Sequence, residues 1–515
     1  MNRPDMLRRV QQHPGRWDIV VVGGGATGIG IAIDAASRGY DVLLLEQSDF
    51  GKGASSRSTK LVHGGVRYLE QGNISLVMEA LKERGLLLRN APHLVRDLAF
   101  VVPNYEWWEA PFYGIGLKVY DLLAGRYGFG PSRLLSKEQT LERLPTIKTE
   151  GLRGGVAYYD GQFDDARLLI HMAVTAAEQG ATLLNYAPVT GITKDAQGFA
   201  SGVLARDEES GEEFEARARV VVNATGAWTD FLRREADAEA TPMIAPSQGI
   251  HLVFPRSFLP GDSAIMVPHT SDGRVMFAIP WHGHVIVGTT DTPLADTPLE
   301  PRALDHEIEF ILSTASLYLA NEPTRDNVLS VFAGIRPLVK SGESGNTSTI
   351  SRDHTIHIDK SGLLSICGGK WTTYRRMAED CVNHAATLAQ LPERPCLTKE
   401  LNIHGHHTES GQFGHLSVHG SDAPAVQALM RADRMHPDLP CTEAEVLWAA
   451  RFEMARTVED VLARRTRALF LNTRAALAMA PKVADILAVE LGCGDAWKIQ
   501  QIRAFEATAR NYVLS

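Results

Sequence analysis

A short apolar run, Ile19–Val22, is followed by a glycine turn, a helical pattern and a second apolar run ending near Glu46. Apolar runs of this length bounded by turn residues predict strand, turn, helix and strand. From Val101 to Leu144 the pattern changes, and aromatics (Tyr105, Trp107, Trp108, Phe112, Tyr113) alternate with glycines and prolines. A helix is predicted over Asp164–Gln179 and a strand over Val220–Asn223. Between Thr241 and Val331 short alternating runs, such as His251–Phe254, Val275–Ile279 and Val285–Val287, are punctuated by Gly, Pro and Asp. They predict an antiparallel sheet. Nucleotide-type features return at Leu363–Tyr374, and beyond Leu391 the three-to-four spacing of Glu443–Leu462 and Thr473–Leu491 predicts helices.

A domain that is left and re-entered implies an insertion. The expected fold class is α/β plus α+β: a Rossmann-like cofactor-binding domain (1–100, 151–240 and 331–390), an inserted antiparallel-sheet substrate domain (101–150 and 241–330), and a C-terminal helical cap (391–515). A chain of 515 residues is long for one hydrophobic core, which agrees with several domains. Its net charge of -9 argues against a nucleic-acid partner, which would need a basic surplus. The placement of arginines therefore says more than their number. Five scattered cysteines without a CxxC pair give no zinc or iron–sulfur framework and fit a reducing compartment. The N-terminus has no apolar signal core, and no uncharged apolar run reaches the roughly 18 residues of a spanning helix. A cytosolic protein, or one lying on a membrane without crossing it, is expected.

The strongest motif is DIVVVGGGATGIG, Asp18–Gly30. Gly23 permits a tight turn, Gly25 lets backbone approach a pyrophosphate, and Gly28 lets the helix pack on the strand. The helix N-terminus then offers amide donors to the anion. Glu46 ends the next strand, where a carboxylate binds ribose hydroxyls and repels the extra phosphate of NADP. Three later stretches suit a long, permanently held flavin: SSRSTKLVHGG (Ser55–Gly65), VVNATGAW (Val221–Trp228) and CGGKWTTY (Cys367–Tyr374). From them Ser55, Ser56, Thr59, Lys60, His63, Gly64, Gly226, Gly369, Lys370 and Thr372 are expected to contact the cofactor.

Here the sequence resembles the FAD-dependent glycerol-3-phosphate dehydrogenases. The resemblance is carried by HGGVRYLE (His63–Glu70), FDDARLL (Phe163–Leu169), NATGAW, IPWHGHVIVGTTD (Ile279–Asp291), AGIRPL (Ala333–Leu338), SRDHTI (Ser351–Ile356) and GGKWTTYR (Gly368–Arg375). It runs in order from about Asp18 to Arg376 and continues more weakly to LARRTR (Leu462–Arg467). It implies FAD, oxidation of sn-glycerol 3-phosphate to dihydroxyacetone phosphate, and electrons passed to a membrane quinone by a protein peripheral on the inner face of the cell membrane. A homodimer is among the assemblies the sequence allows.

Family positions fall on Arg67, Arg336, Arg352 and Lys370. Arginine forks suit phosphate. Arg336 and Arg352 are the leading phosphate ligands, Arg67 and Tyr68 neighbour the substrate, and Lys370 lies beside the flavin, where it would stabilise negative charge. His251 is the candidate base for the hydroxyl proton. An arginine base is the alternative, against its high pKa. Family members often carry lysine where this chain has Gln248. His404, His406 and His407 show no metal-ligand spacing, and no metal is expected. The amphipathic stretch Ala110–Gly130 reads first as core and second as a bilayer contact. Two rival readings share the architecture: a glycerol-3-phosphate oxidase using oxygen, and an amine or 2-hydroxy-acid oxidase.

Overall fold

The computed structural model describes every residue except 66–68, 70–72, 269, 272, 341–352, 431–433 and 515. Arg67, Tyr68 and Arg352 lie outside the described residues. Two large sheets organise the molecule. In the first, strands run in the order β17 (His354–Ile358), β18 (Leu364–Gly368), β10 (Glu213–Asn223), β1 (Trp17–Val22), β2 (Val42–Leu45), β7 (Thr182–Leu184). The strands from β18 to β7 are parallel, with Val21 opposite Val222 on one side and Leu44 on the other. Parallel strands need coverage on both faces, which explains the unbroken apolar text of β1 and β2. Helices Ala26–Ser37, Asp165–Glu178 and Tyr374–Leu388 cover one face around a core that includes Ile19, Val21, Leu44, Leu168 and Met377.

The second sheet is mostly antiparallel and ten-stranded. Its order is β15 (Thr292–Pro293), β11 (Ile244–Pro255), β14 (His284–Gly288), β13 (Met276–Trp281), β12 (Ala264–Val267), β4 (Val95–Asn104), β6 (Gly154–Phe163), β3 (Leu61–Val62). β16 (Ser330–Val339) pairs with β11, and Arg336 stands opposite Ser247. The strands of this sheet do not follow the expected segment boundaries. β6 and β16 carry the segments 151–240 and 331–390 into the second sheet before the chain returns to the first. Both strands are long enough to pair across it, β6 with β4 over its whole length.

The C-terminal helices Glu443–Phe452 and Thr473–Leu491 pack with Val253, Trp281, Ile286 and Phe332 of the second sheet in one core. The helix read over Glu443–Leu462 stops at Phe452. Met454 takes a positive φ of 55° and a short π-helical turn, Asp460–Arg465, follows. That break turns Glu453, Asp460, Arg464 and Arg465 inward against the first domain. Arg464 and Arg465 both pair with buried Asp49, Arg167 pairs with Glu453 at 2.7 Å, and Arg467 with Asp164 at 2.9 Å.

Candidate active site

β1 delivers the chain to the glycine turn in the middle of the parallel sheet. A Cβ on Gly28 would stand 1.9 Å from the Gly23 carbonyl oxygen, so the helix Ala26–Ser37 approaches the turn only because that Cβ is absent. Gly25 caps this helix without a side chain, and Ser55 Oγ accepts the Ala26 amide at 2.9 Å. Glu46 follows β2 and accepts from the amides of Gly24 at 2.6 Å and Ser48 at 2.8 Å. Burial pushes its pKa up, while these donors favour the charged form.

A cavity of about 620 Å³ starts at this turn. Of the expected cofactor contacts it is lined by Gly23, Gly25, Glu46, Ser55, Thr59, His63, Gly226, Gly369, Lys370 and Thr372, and it also takes in His251 and Arg336. Residues drawn from four separated stretches thus surround one space. Its glycine-lined end, a helix N-terminus whose N-cap Gly25 carries no side chain, with an acid beside it, suits the pyrophosphate and ribose of FAD. Lys370 also lines this cavity.

Four expected contacts lie elsewhere. Gly28 packs against the turn. Ser56 is buried and donates to Gly51 O at 2.8 Å. Gly64 donates its amide to Tyr120 Oη at 2.9 Å. Lys60 is fully buried, its ammonium paired with Asp165 at 2.7 Å and bonded to Ser56 O. Its φ of 64° turns the side chain away from the cavity that its neighbour Thr59 lines. The side chain of this expected cofactor contact is instead a buried ion pair that holds the loop: Asp165 also accepts from the Ser58 amide and hydroxyl. Contributors that the reading of hydroxyls and glycines passed over are Arg57 and Trp371. Arg57 lines the cavity and bonds Glu300 at 2.7 Å, and Trp371 donates its indole N–H to Ser55 O at 2.9 Å.

His251 sits on β11, stacked on Phe332 with ring centroids 4.9 Å apart, and its Nε2 lies 2.9 Å from Thr59 Oγ1. Burial, with Arg336 and Lys60 nearby, holds its pKa well below the usual imidazole value. The ring is neutral at neutral pH. Arg336 donates to Thr290 O and to Thr289 Oγ1, both at 3.0 Å, and lies 3.4 Å from Asp291. Gln248, three residues before His251 on β11, faces the other way. Its amide donates to Glu307 Oε2 at 2.7 Å and to Arg302 O at 2.8 Å, and it does not line the cavity. A lysine there would meet Glu307 rather than substrate.

A smaller annex of about 170 Å³ adjoins the main cavity. Thr59, Leu61, His63 and Arg336 line both spaces and mark their junction. Arg274, Asp160, Tyr158, Met266 and Phe277 line the annex alone. None of these five was singled out as a site residue from sequence, because what brings them together is the pairing of distant strands, not a local motif.

Two histidine groups beyond the site are held by charged partners. His404 sits between Glu178 at 2.8 Å and Asp422 at 2.7 Å. Another group, His171, His419 and Glu453, has converging ligand atoms, but the Arg167 guanidinium fills its centre, bonded to His171 Nε2 and Glu453 Oε1, both at 2.7 Å.

Residues 18–375 match the family described as FAD dependent oxidoreductase, and residues 363–498 match the C-terminal domain of alpha-glycerophosphate oxidase. A probable mitochondrial glycerol-3-phosphate dehydrogenase of Caenorhabditis elegans is 40% identical, covering 99% of this chain and 75% of its own. The human mitochondrial glycerol-3-phosphate dehydrogenase is 39% identical, covering 100% of this chain and 76% of its own. Among solved structures, the glycerol-3-phosphate dehydrogenase from Bacillus halodurans complexed with FAD superimposes with a TM-score of 0.80 at 30% identity, covering 99% of this chain and 98% of that one. The L-alpha-glycerophosphate oxidase from Mycoplasma pneumoniae shares the fold, with a TM-score of 0.56 at 17% identity over 76% of this chain and 99% of that one. With its cofactor cavity, second sheet and cap accounted for along nearly the whole chain, this protein belongs to the FAD-dependent glycerol-3-phosphate dehydrogenase family.

Proposed function

We propose that this chain oxidises sn-glycerol 3-phosphate to dihydroxyacetone phosphate and passes the electrons to a membrane quinone. The observation that carries the reading is the annex. It has room for a substrate of few heavy atoms, it is lined by guanidinium groups, and it opens onto the cofactor cavity at His63, Thr59 and Arg336. FAD, held by the residues lining the cofactor cavity, would supply the hydride acceptor for the carbinol carbon. The chain's own residues do the rest. Arg336, fixed by three oxygen partners, orients the substrate at the junction. Arg67, Tyr68 and Arg352 remain proposed substrate contacts on family position alone. Lys370, which lines the cofactor cavity, supplies positive charge beside the flavin.

The hydroxyl proton goes to His251 through the Thr59 hydroxyl, which lies 2.9 Å from Nε2. His63 is the second candidate, because it lines both spaces. His63→Asn and His251→Asn separate the two: the acceptor is the one whose loss lowers kcat and removes the acid limb of the pH profile.

Quinone delivery asks for contact with a bilayer. No described helix is long and apolar enough to cross one. The helix Glu109–Ala124 and its approach instead expose Trp107, Trp108, Phe112, Ile115, Val119 and Leu122, with Trp107 74% and Leu122 81% accessible. An apolar stripe with tryptophans at its start suits a helix lying in the plane of the lipid headgroups. The proposed location is peripheral, on the inner face of the cell membrane.

The test is anaerobic bleaching of the bound flavin by glycerol 3-phosphate, then turnover in air with a quinone dye against peroxide release. Substrate that fails to bleach the flavin overturns the reading, and stoichiometric peroxide favours the oxidase. Arg336→Ala should lower kcat/KM by about 30- to 1000-fold, the loss of roughly 2–4 kcal/mol of charge-assisted contact in the transition state.

A further inference from the structure

We infer that Glu307 is a positioning residue for Arg336: from behind the sheet it fixes the segment whose oxygens hold that guanidinium. The inference rests on the reading above, in which Arg336 orients the substrate. β14 ends at Gly288 and β15 begins at Thr292, so residues 289–291 link two strands that both pair with β11. This link carries three partners of Arg336: Thr289 Oγ1 and Thr290 O, each at 3.0 Å, and Asp291 Oδ1 at 3.4 Å. The direction of the guanidinium fork therefore follows the position of the link.

What anchors the link lies on the opposite face of β11. Side chains alternate along a strand, so Gln248 and Ile250 point away from the face that Gly249 and His251 turn to the cavity. Glu307, in the first turn of the helix Asp305–Ser316, is buried behind that strand. Its Oε1 accepts from the hydroxyls of Thr290 at 2.8 Å and Thr292 at 2.7 Å. Its Oε2 accepts from Gln248 Nε2 at 2.7 Å and from the Leu304 amide at 3.0 Å. One carboxylate oxygen thus clamps the residues on both sides of Asp291. Thr290 reaches through the sheet: its hydroxyl meets Glu307 and accepts the Ile250 amide at 3.0 Å, while its carbonyl faces Arg336. A buried carboxylate with four neutral donors stays where they converge, because any move would strand a polar group away from water. A glutamine of the same shape would turn an NH2 group toward donors and could not receive all four. Gln248 also gains a task here, since it completes the clamp instead of meeting substrate.

The experiment is a double-mutant cycle on the holoenzyme, with flavin absorbance and Tm confirming that each variant is folded and loaded. Glu307→Gln, Thr292→Val and Arg336→Ala are made singly, and the first two are repeated on Arg336→Ala. Glycerol 3-phosphate is the substrate and a quinone dye the acceptor. Glu307→Gln should lower kcat/KM by roughly 5- to 50-fold. Thr292→Val, which removes one hydroxyl tether at nearly constant shape, should lower it by roughly 2- to 10-fold. On Arg336→Ala each should cost less than about twofold, because the group they aim is gone. Thr292→Ser, which keeps the hydroxyl, should recover most of what Thr292→Val loses. Losses that multiply with that of Arg336→Ala, or a Glu307→Gln enzyme within about twofold of wild type, overturn the inference while the substrate reading stands. If Glu307→Gln does not fold, the Thr292 variants decide by the same rule. An Arg336→Ala enzyme with wild-type kinetics removes the reading itself, and the inference with it.

Discussion

Arg336 can lie where it does because residue 249 has no side chain. A Cβ at Gly249 would stand 2.2 Å from Nη2 and 2.6 Å from Cζ of that guanidinium, across the β11–β16 pairing. Gly249→Ala must therefore push the fork off its anchors at Thr289 and Thr290. Overpacking of this kind costs about 1–3 kcal/mol, so kcat/KM should fall by roughly 5- to 100-fold while flavin content stays near wild type, as steady-state assay and absorbance would read. A variant with unchanged kinetics would show that Arg336 has slack. His251 makes a second prediction at this scale. Its environment disfavours the imidazolium, so the neutral, proton-accepting form persists as pH falls. The acid limb of kcat/KM should then lie below the ordinary imidazole value of 6.5, and a limb at or above 6.5 would remove His251 as the acceptor.

Periodicity made the elements legible more readily than their faces. The glycine turn, the strands beside it and the helix Asp165–Glu178 could be placed because a buried parallel strand and a helix N-cap leave local marks. Lys60 shows the limit: its place in a glycine- and hydroxyl-rich loop suggested a cofactor contact, but a positive φ turns it into the core. Arg274 was invisible because it meets Arg336 only around the annex, which no local pattern marks. The helix Glu109–Ala124 falls between these cases. Its sequence reads as amphipathic and core-packed, and one face, Tyr113, Leu117 and Tyr120, is buried as such a reading requires. The opposite face is apolar as well, and a helix apolar on both sides needs a second apolar partner. If that partner is lipid, Phe112→Ser combined with Leu122→Ser should reduce co-sedimentation with anionic vesicles several-fold and leave dye-linked turnover in solution intact. Equal sedimentation of variant and wild type would place the attachment elsewhere.

The molecule as a whole is joined by buried charge along the seam between the first domain and the C-terminal helices. Along that seam Arg167 donates to His171 Nε2, so His171 is neutral and its Nδ1–H faces His404 O at 2.8 Å and His93 Nε2 at 3.0 Å. Burial and Arg167 lower the pKa of His93 to about 3 and hold those of His171 and His419 down as well. Burial would raise the carboxyl of Glu453, but Arg167 outweighs it and brings the pKa to about 2. Both kinds of shift act in the same direction on acidification. The unfolded chain takes up protons at these histidines near 6.5 and at Glu453 near 4.5, while the folded seam refuses them until much lower pH. Stability is thus complete above 6.5, declines from there toward 3 through the histidines, and declines more steeply below 4.5 as Glu453 adds its share. The holoprotein's Tm, followed across this range at constant ionic strength, should show both stages. His93→Gln removes one titrating group without adding charge, so its Tm should fall less between 6.5 and 4.5 than that of wild type. A wild-type Tm that holds level over that interval would mean the seam opens to admit protons without loosening the two domains, and the buried network would then be a contact rather than a clamp.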